Sequence, residues 1–173
     1  MDKLLRWIKD ERVKSWCQGK VEMLPAYFWK VPASSTGKHH PRFAQGEGGL
    51  VGHTRGCVWF ALQLFEVLDL DDLEQDIILA ALILHDGFKY GEGKGQEFTV
   101  DDHGELAASI FAAGEEDLVK NGVRHMILDC IEKHMGRWGK RLPETELEKI
   151  VHLCDYLASR KDLDIRCNKV GLG

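Results

Sequence analysis

The chain has 173 residues, 44% of them apolar and 29% charged, the ordinary balance of a globular protein with a buried core. Its formal charge of -5 at pH 7 argues against a general nucleic-acid surface. No apolar run reaches the ~20 residues of a membrane span, and the charged start Met1-Asp2-Lys3-Leu4-Leu5-Arg6 lacks the apolar centre of a signal peptide, so no membrane association is expected. The five cysteines, at 17, 57, 130, 154 and 167, form no C-x-x-C pair and are odd in number, which fits reduced thiols in a cytoplasmic protein.

Sustained two-residue alternation is absent, so the chain reads as all-α, one domain over 1–173 with a compact bundle of about six helices. Residues 2–18 are predicted to form an amphipathic helix that buries Leu4, Leu5, Ile8 and Trp16 and ends at Gly19. Residues 19–49 are irregular, broken by Pro25, Pro32 and Pro41 and loosened by Gly46, Gly48 and Gly49. Within that segment Tyr27, Phe28 and Trp29 are expected to pack on the core or to make a dimer contact, the core being favoured. Further helices are predicted at 50–68, 72–86, 102–113, 119–135 and 144–159. Asp71 with Glu74 and Asp102 with Glu105 have capping-box spacing, and Pro143 suits a first helical turn. Ile77 to Leu84 is apolar almost all round, as a buried central helix should be.

The loop Gly87-Phe88-Lys89-Tyr90-Gly91-Glu92-Gly93-Lys94-Gly95 is rich in glycine but is not a phosphate loop. It has no G-K-[ST], and a helix precedes it instead of a strand. It is expected to be an outward excursion or short hairpin that could cover a site as a lid. The tail at 161–173 has no clear pattern.

On a 3.6-residue period, four apolar stripes each carry a residue of metal-ligand type. They are His53 with Cys57, Phe60, Leu64 and Leu68; His103 with Ala107, Ile110 and Phe111; Val123, Ile127, Cys130 and Ile131 with His134; and Leu147, Val151 and Ala158 with Asp155. His85-Asp86 ends the apolar helix. Imidazoles and carboxylates are costly to bury without a partner, and a metal ion suits both. A single such histidine reads as a satisfied core residue. Four stripes and a His-Asp pair together point to a metal site. Cys57, Cys130 and Cys154 on the same stripes read as small core residues.

The ordered pieces resemble the HD superfamily of metal-dependent phosphohydrolases over about 38–160. They are Gly49-Leu50-Val51-Gly52-His53-Thr54, Ala80 to Asp86 with Lys89, His103-Gly104-Glu105-Leu106-Ala107-Ala108, Glu132-Lys133-His134 and His152-Leu153-Cys154-Asp155. One departure is that the family commonly reads H-D-x-G-K, whereas the glycine here, Gly87, comes one position early. Within the superfamily, Pro32 to His40, the G-G-L-x-x-H-T segment and His134-Met135-Gly136-Arg137-Trp138 are similar to the HD domain of 3′–5′ exoribonucleases that pair it with an OB-fold. About thirty residues precede the resembling stretch, fewer than such a module needs, so the HD chemistry carries over more securely than the RNA substrate.

The resemblance implies a metal-binding core at about 38–160 behind an N-terminal helix and loop at 1–37. His53, His85, Asp86 and Asp155 would hold one divalent ion, and a bridging Asp86 with His103 and His134 a second. Such a nitrogen and oxygen set favours Mn2+, Fe2+, Co2+, Ni2+ or Zn2+ over Mg2+. Lys89 would stabilise phosphate charge, its alternative being an exposed loop lysine. Arg137 would grip a second phosphate oxygen, Trp138 would stack on a base or, equally, serve packing, and Lys38 and His40 would face the substrate. His125 is expected on the surface, and His152 near the site as a supporting or packing residue. The implied activity is hydrolysis of a phosphoester in a nucleotide or short oligonucleotide. Alternatives are an HD-fold di-iron oxygenase acting on a small organic substrate and a non-catalytic nucleotide-binding domain.

Overall fold

Side-chain caps fix where three of the helices start. The computed structural model describes residues 1–37, 40–93, 98–113 and 121–163. Among these there are seven α-helices, short 3-10 turns and no strand, so the all-α reading holds. The helices are α1 (Asp2–Leu5), α2 (Glu11–Glu22), α3 (Gly49–Phe65), α4 (Asp72–Leu84), α5 (His103–Ala112), α6 (Asn121–Lys133) and α7 (Glu146–Ala158). None of them is long and apolar enough to cross a membrane.

The predicted first helix over 2–18 is two helices. Asp10 caps α2 by accepting from the Arg12 and Val13 amides. The Lys9 and Asp10 amides donate to the buried Asp76 carboxylate of α4 at 2.9 and 2.7 Å. Asp76 thus gives the backbone at the break a stronger, charged acceptor than the preceding turn would. Gly19 does not end α2, which continues to Glu22 and buries Val21. That burial outweighs the roughly 1 kcal/mol a helical glycine costs.

The Asp71–Glu74 capping box forms on α4. Asp102 makes no side-chain cap; its carboxylate pairs with Lys140 instead. Helix α7 starts later than predicted, because Thr145 and Glu148 make a capping box that the sequence reading overlooked. Pro143 therefore stands outside the helix.

Helix α4 is the central element, with Ile77 through Leu84 all buried and α2, α3, α6 and α7 packed around it. At ~1.5–3 kcal/mol for each large apolar side chain removed from water, this helix anchors the corner that follows it. Helix α3 also lies along α7, and α5 along α6. Two glycines set how closely these elements approach. A Cβ on Gly52 would meet the Phe43 carbonyl, and one on Gly104 would lie 2.8 Å from the Glu132 carbonyl oxygen. Of the aromatic trio, Phe28 is buried and Tyr27 half-buried, whereas Trp29 is 41% exposed.

The expected lid is not an excursion over its first residues. Gly87, Phe88, Tyr90 and Gly91 are buried. Tyr27 Oη donates to the Gly91 carbonyl at 2.6 Å and accepts from the Tyr90 amide at 3.1 Å. The Val100 amide closes the loop on the Lys89 carbonyl at 2.9 Å. Residues 94–97 lie outside the described part.

Candidate metal centre

Five helices bring the six ligand-type residues of the sequence reading to one place. His53 comes from the first turns of α3, His85 and Asp86 from the end of α4, His103 from the start of α5, His134 from just beyond α6, and Asp155 from α7. His53, His85, Asp86, His103 and His134 are all at most 3% exposed. The Asp155 side chain is 20% exposed.

Asp86 lies between two groups of imidazoles. Its Oδ2 is 3.6 Å from both His53 Nε2 and His85 Nε2. Its Oδ1 is 3.1 Å from His103 Nε2 and 3.6 Å from His134 Nε2. Asp155 Oδ1 completes the first group, 2.9 Å from His53 Nε2 and 3.7 Å from His85 Nε2. Burial disfavours charge on Asp86, but the Lys89 ammonium and the neighbouring His85 hold its carboxyl well below the usual range. Asp155 is likewise held well below that range, burial being outweighed by His53 and His85.

Backbone carbonyls fix the ring orientations. Nδ1 of His85, His103 and His134 lies 2.8, 2.9 and 2.7 Å from the carbonyl oxygens of Leu82, Val100 and Ile131. A carbonyl only accepts, so each Nδ1 carries the proton, and in the neutral ring each Nε2 presents a lone pair to the interior. His103 Nε2 and His134 Nε2 then face each other at 3.2 Å. Burial also drops the His134 pKa to about 4, so a proton is a poor bridge at neutral pH. Asp86 Oδ1 is buried without a hydrogen-bond donor. Its 3.1 Å approach to His103 is an approach of lone pairs. Converging acceptors that lack donors are what a divalent cation satisfies, so these residues fit a metal.

Two tight groups could each hold an ion, with ligand atoms within 4.8 Å of one another: His53, Cys57, His85 and Asp155, and His85, Asp86 and His134. Cys57 belongs to the first, its Sγ 3.5 Å from His53 Nε2. The sequence reading had it as a core residue, because a thiol on an apolar stripe carries no distinguishing signal. His103 stands outside both tight groups but beside Asp86 and His134.

An open cavity of about 230 Å3 leads to the cluster, lined among others by His40, Lys89, His103, His134, Trp138 and Asp155. Lys89 is no exposed loop residue; its Nζ lies 2.6 Å from Asp86 Oδ2 with 12% of the side chain accessible. Burial opposes its charge, and Asp86 and Asp155 more than restore it, raising its pKa. The His40 ring sits 5.5 Å from that of His53. Burial, with His53 and Lys89 nearby, lowers the His40 pKa to about 4. Ser34 and Thr99 also line the cavity, and no sequence signal marked either. Arg137 does not line it; its guanidinium carbon sits 4.4 Å over the Trp138 ring. His152 donates from Nδ1 to the His134 carbonyl at 2.7 Å, so it supports the segment that carries a ligand. His125 is exposed. Lys38 lies outside the described residues.

The family model for the HD domain matches residues 50–160, well over half the chain and every ligand-type residue of the cluster. No curated protein and no solved structure matches the chain.

Proposed function

From the premise that the chain belongs to the HD domain family, we propose that it is a metal-dependent phosphohydrolase acting on a nucleotide or short oligonucleotide. The observation that carries this reading is the two-sided burial of Asp86 between His53 with His85 and His103 with His134, with one oxygen lacking any donor. His53, His85, Asp86 and Asp155 would hold one divalent ion, and Asp86, His103 and His134 a second. When bound, Mn2+, Fe2+, Co2+, Ni2+, Zn2+ or Mg2+ would supply Lewis-acid polarisation of phosphate oxygens and a water of lowered pKa.

The protein's own part is orientation and charge. Three histidines are held in one tautomer by carbonyls three residues back, so no reorganisation is needed when a cation arrives. Lys89 keeps a fixed positive charge at the cavity wall, where it offsets charge growing on the phosphoryl oxygens. His40 is neutral at physiological pH, so it orients substrate by hydrogen bonding and adds no charge. Trp138 offers a π face at the mouth, and Arg137 brings a cation to that ring. Lys38 is carried forward from the sequence as a residue that faces substrate.

The test is phosphate or mononucleotide release by metal-stripped protein, reloaded with each ion and offered mononucleotides, cyclic dinucleotides and a short RNA. Turnover should require metal and vanish in Asp86→Ala. Firmly bound iron with oxygen uptake and no hydrolysis would overturn the reading in favour of an oxygenase.

A further inference from the structure

A second cavity of about 310 Å3, lined by Trp138, Asp155, Tyr156, Ser159 and Arg160, adjoins the first. The two share Trp138, Asp155 and Ser159, so Asp155 stands between them with one face toward each. Pockets that enclose a small organic ligand run from ~300 to 1,000 Å3. The cavity at the cluster, at about 230 Å3, is therefore small for a whole nucleotide, and its extension lies beside it.

The wall of this second cavity carries two π faces, Trp138 and Tyr156, and one cation, Arg160, beside Ser159 and the Asp155 carboxylate it shares with the first; Arg137 stands behind Trp138 and does not line it. Trp138 and Tyr156 stack with ring centroids 5.7 Å apart and planes 13° from parallel. Arg137 lies 4.4 Å over Trp138, and Arg160 lies 5.3 Å over Tyr156. Neither guanidinium makes an ion pair among the described residues. Trp138 remains 54% exposed although it is stacked. Packing alone accounts poorly for this arrangement, since it leaves an indole half in water and two cations with no carboxylate partner among the described residues. A base with a phosphate on either side satisfies both needs at once: rings take the base, and guanidiniums take the phosphates.

Resting on the phosphohydrolase reading, we propose that this second cavity is the subsite for the nucleotide next to the scissile phosphate. The substrate is then a single-stranded oligonucleotide of at least two residues, not a mononucleotide. The overall charge of -5 argues against an extended polyanion-binding surface, which fits a footprint of a few nucleotides.

The experiment measures affinity, by tryptophan quenching, of Mn2+-loaded protein for three probes. These are adenosine monophosphate, a 5′-phosphorylated adenine dinucleotide with a phosphorothioate linkage, and the same dinucleotide with an abasic second residue. The dinucleotide should bind on the order of tenfold more tightly than the mononucleotide, and the abasic probe should lose most of that gain. Tyr156→Leu and Arg160→Ala should bring the ratio of affinities toward one; the Arg160 change removes a side chain at the rim and decides the matter if Tyr156→Leu fails to fold. Equal affinities in the unaltered protein, or a preference that both variants keep, would overturn the subsite. A dinucleotide preference that depends on Arg160 in protein that hydrolyses nothing would uphold the subsite and overturn the phosphohydrolase reading. Hydrolysis with equal binding of both compounds would do the reverse.

Discussion

Asp86 and Lys89 show how strongly single residues are tied together here. The carboxylate is 1% and the ammonium 12% accessible, and they meet at 2.6 Å. Removing either leaves the other as a buried charge without its partner, a change that costs about 3–5 kcal/mol in comparable pairs. Asp86→Asn and Lys89→Met should each lower the urea midpoint of the metal-free protein. The double variant should lose less than the two losses added together, by roughly 1–3 kcal/mol. Additive losses in that cycle would mean that the pair is not energetically coupled. The ligand-type residues were legible in the sequence because a histidine or aspartate on an apolar stripe violates the helix's own pattern. Cys57 and Asp76 were not. A thiol on such a stripe breaks no pattern, and nothing near Asp76 in sequence announces that its partners are the Lys9 and Asp10 amides.

At the scale of elements, close approach and capping decide what the sequence pattern leaves open. Gly104 lets α5 lie against α6, and a Cβ there would come within 2.8 Å of the Glu132 carbonyl and 3.1 Å of His134 Nδ1. Gly104→Ala should therefore cost about 1–3 kcal/mol by overpacking. It should also weaken metal binding, measured as a smaller metal-induced rise in melting temperature, although residue 104 is no ligand. At the start of α7, Glu148 is 3% exposed. Burial opposes its charge, but the Glu144 and Thr145 amides and the Lys133 ammonium hold its pKa below the usual 4.5. A depressed carboxylate stabilises the fold above the unfolded value, and that contribution is lost as pH falls through the folded one. Glu148→Gln should be less stable at neutral pH and flatter in acid, seen as urea midpoints that converge with those of the unaltered protein below 4.5. Five of the predicted helices fall within a few residues of where they were expected. The details that differ are the break at Asp10, the missing cap at Asp102 and the start at Thr145, where an acceptor distant in sequence, a surface lysine and an overlooked capping box respectively govern the outcome.

Across the molecule, the cluster joins α3 to α7 through a single set of side chains. A cation held there binds the folded chain and not the unfolded one, so at a free concentration a hundred times its dissociation constant it should add about 2.7 kcal/mol of stability. Calorimetry should show the melting temperature rising with metal, falling again with chelator, and staying level in Asp86→Asn. The bundle and its inward-facing ligands were readable from periodicity, whereas the pairing of α3 with α7 and the second cavity beside Asp155 depend on contacts that no local pattern encodes. The spacing of the ligands also has a meaning in time. His53 and Asp155 touch across 102 positions of chain, which a ribosome adding ~5–20 residues per second needs roughly 5–20 s to deliver. Throughout that interval the nascent protein carries histidines without their last carboxylate. If the cluster holds an ion, the group that includes Asp155 is complete only once the chain has been made through that residue, so its ion would come from the supply the cell offers at that later point.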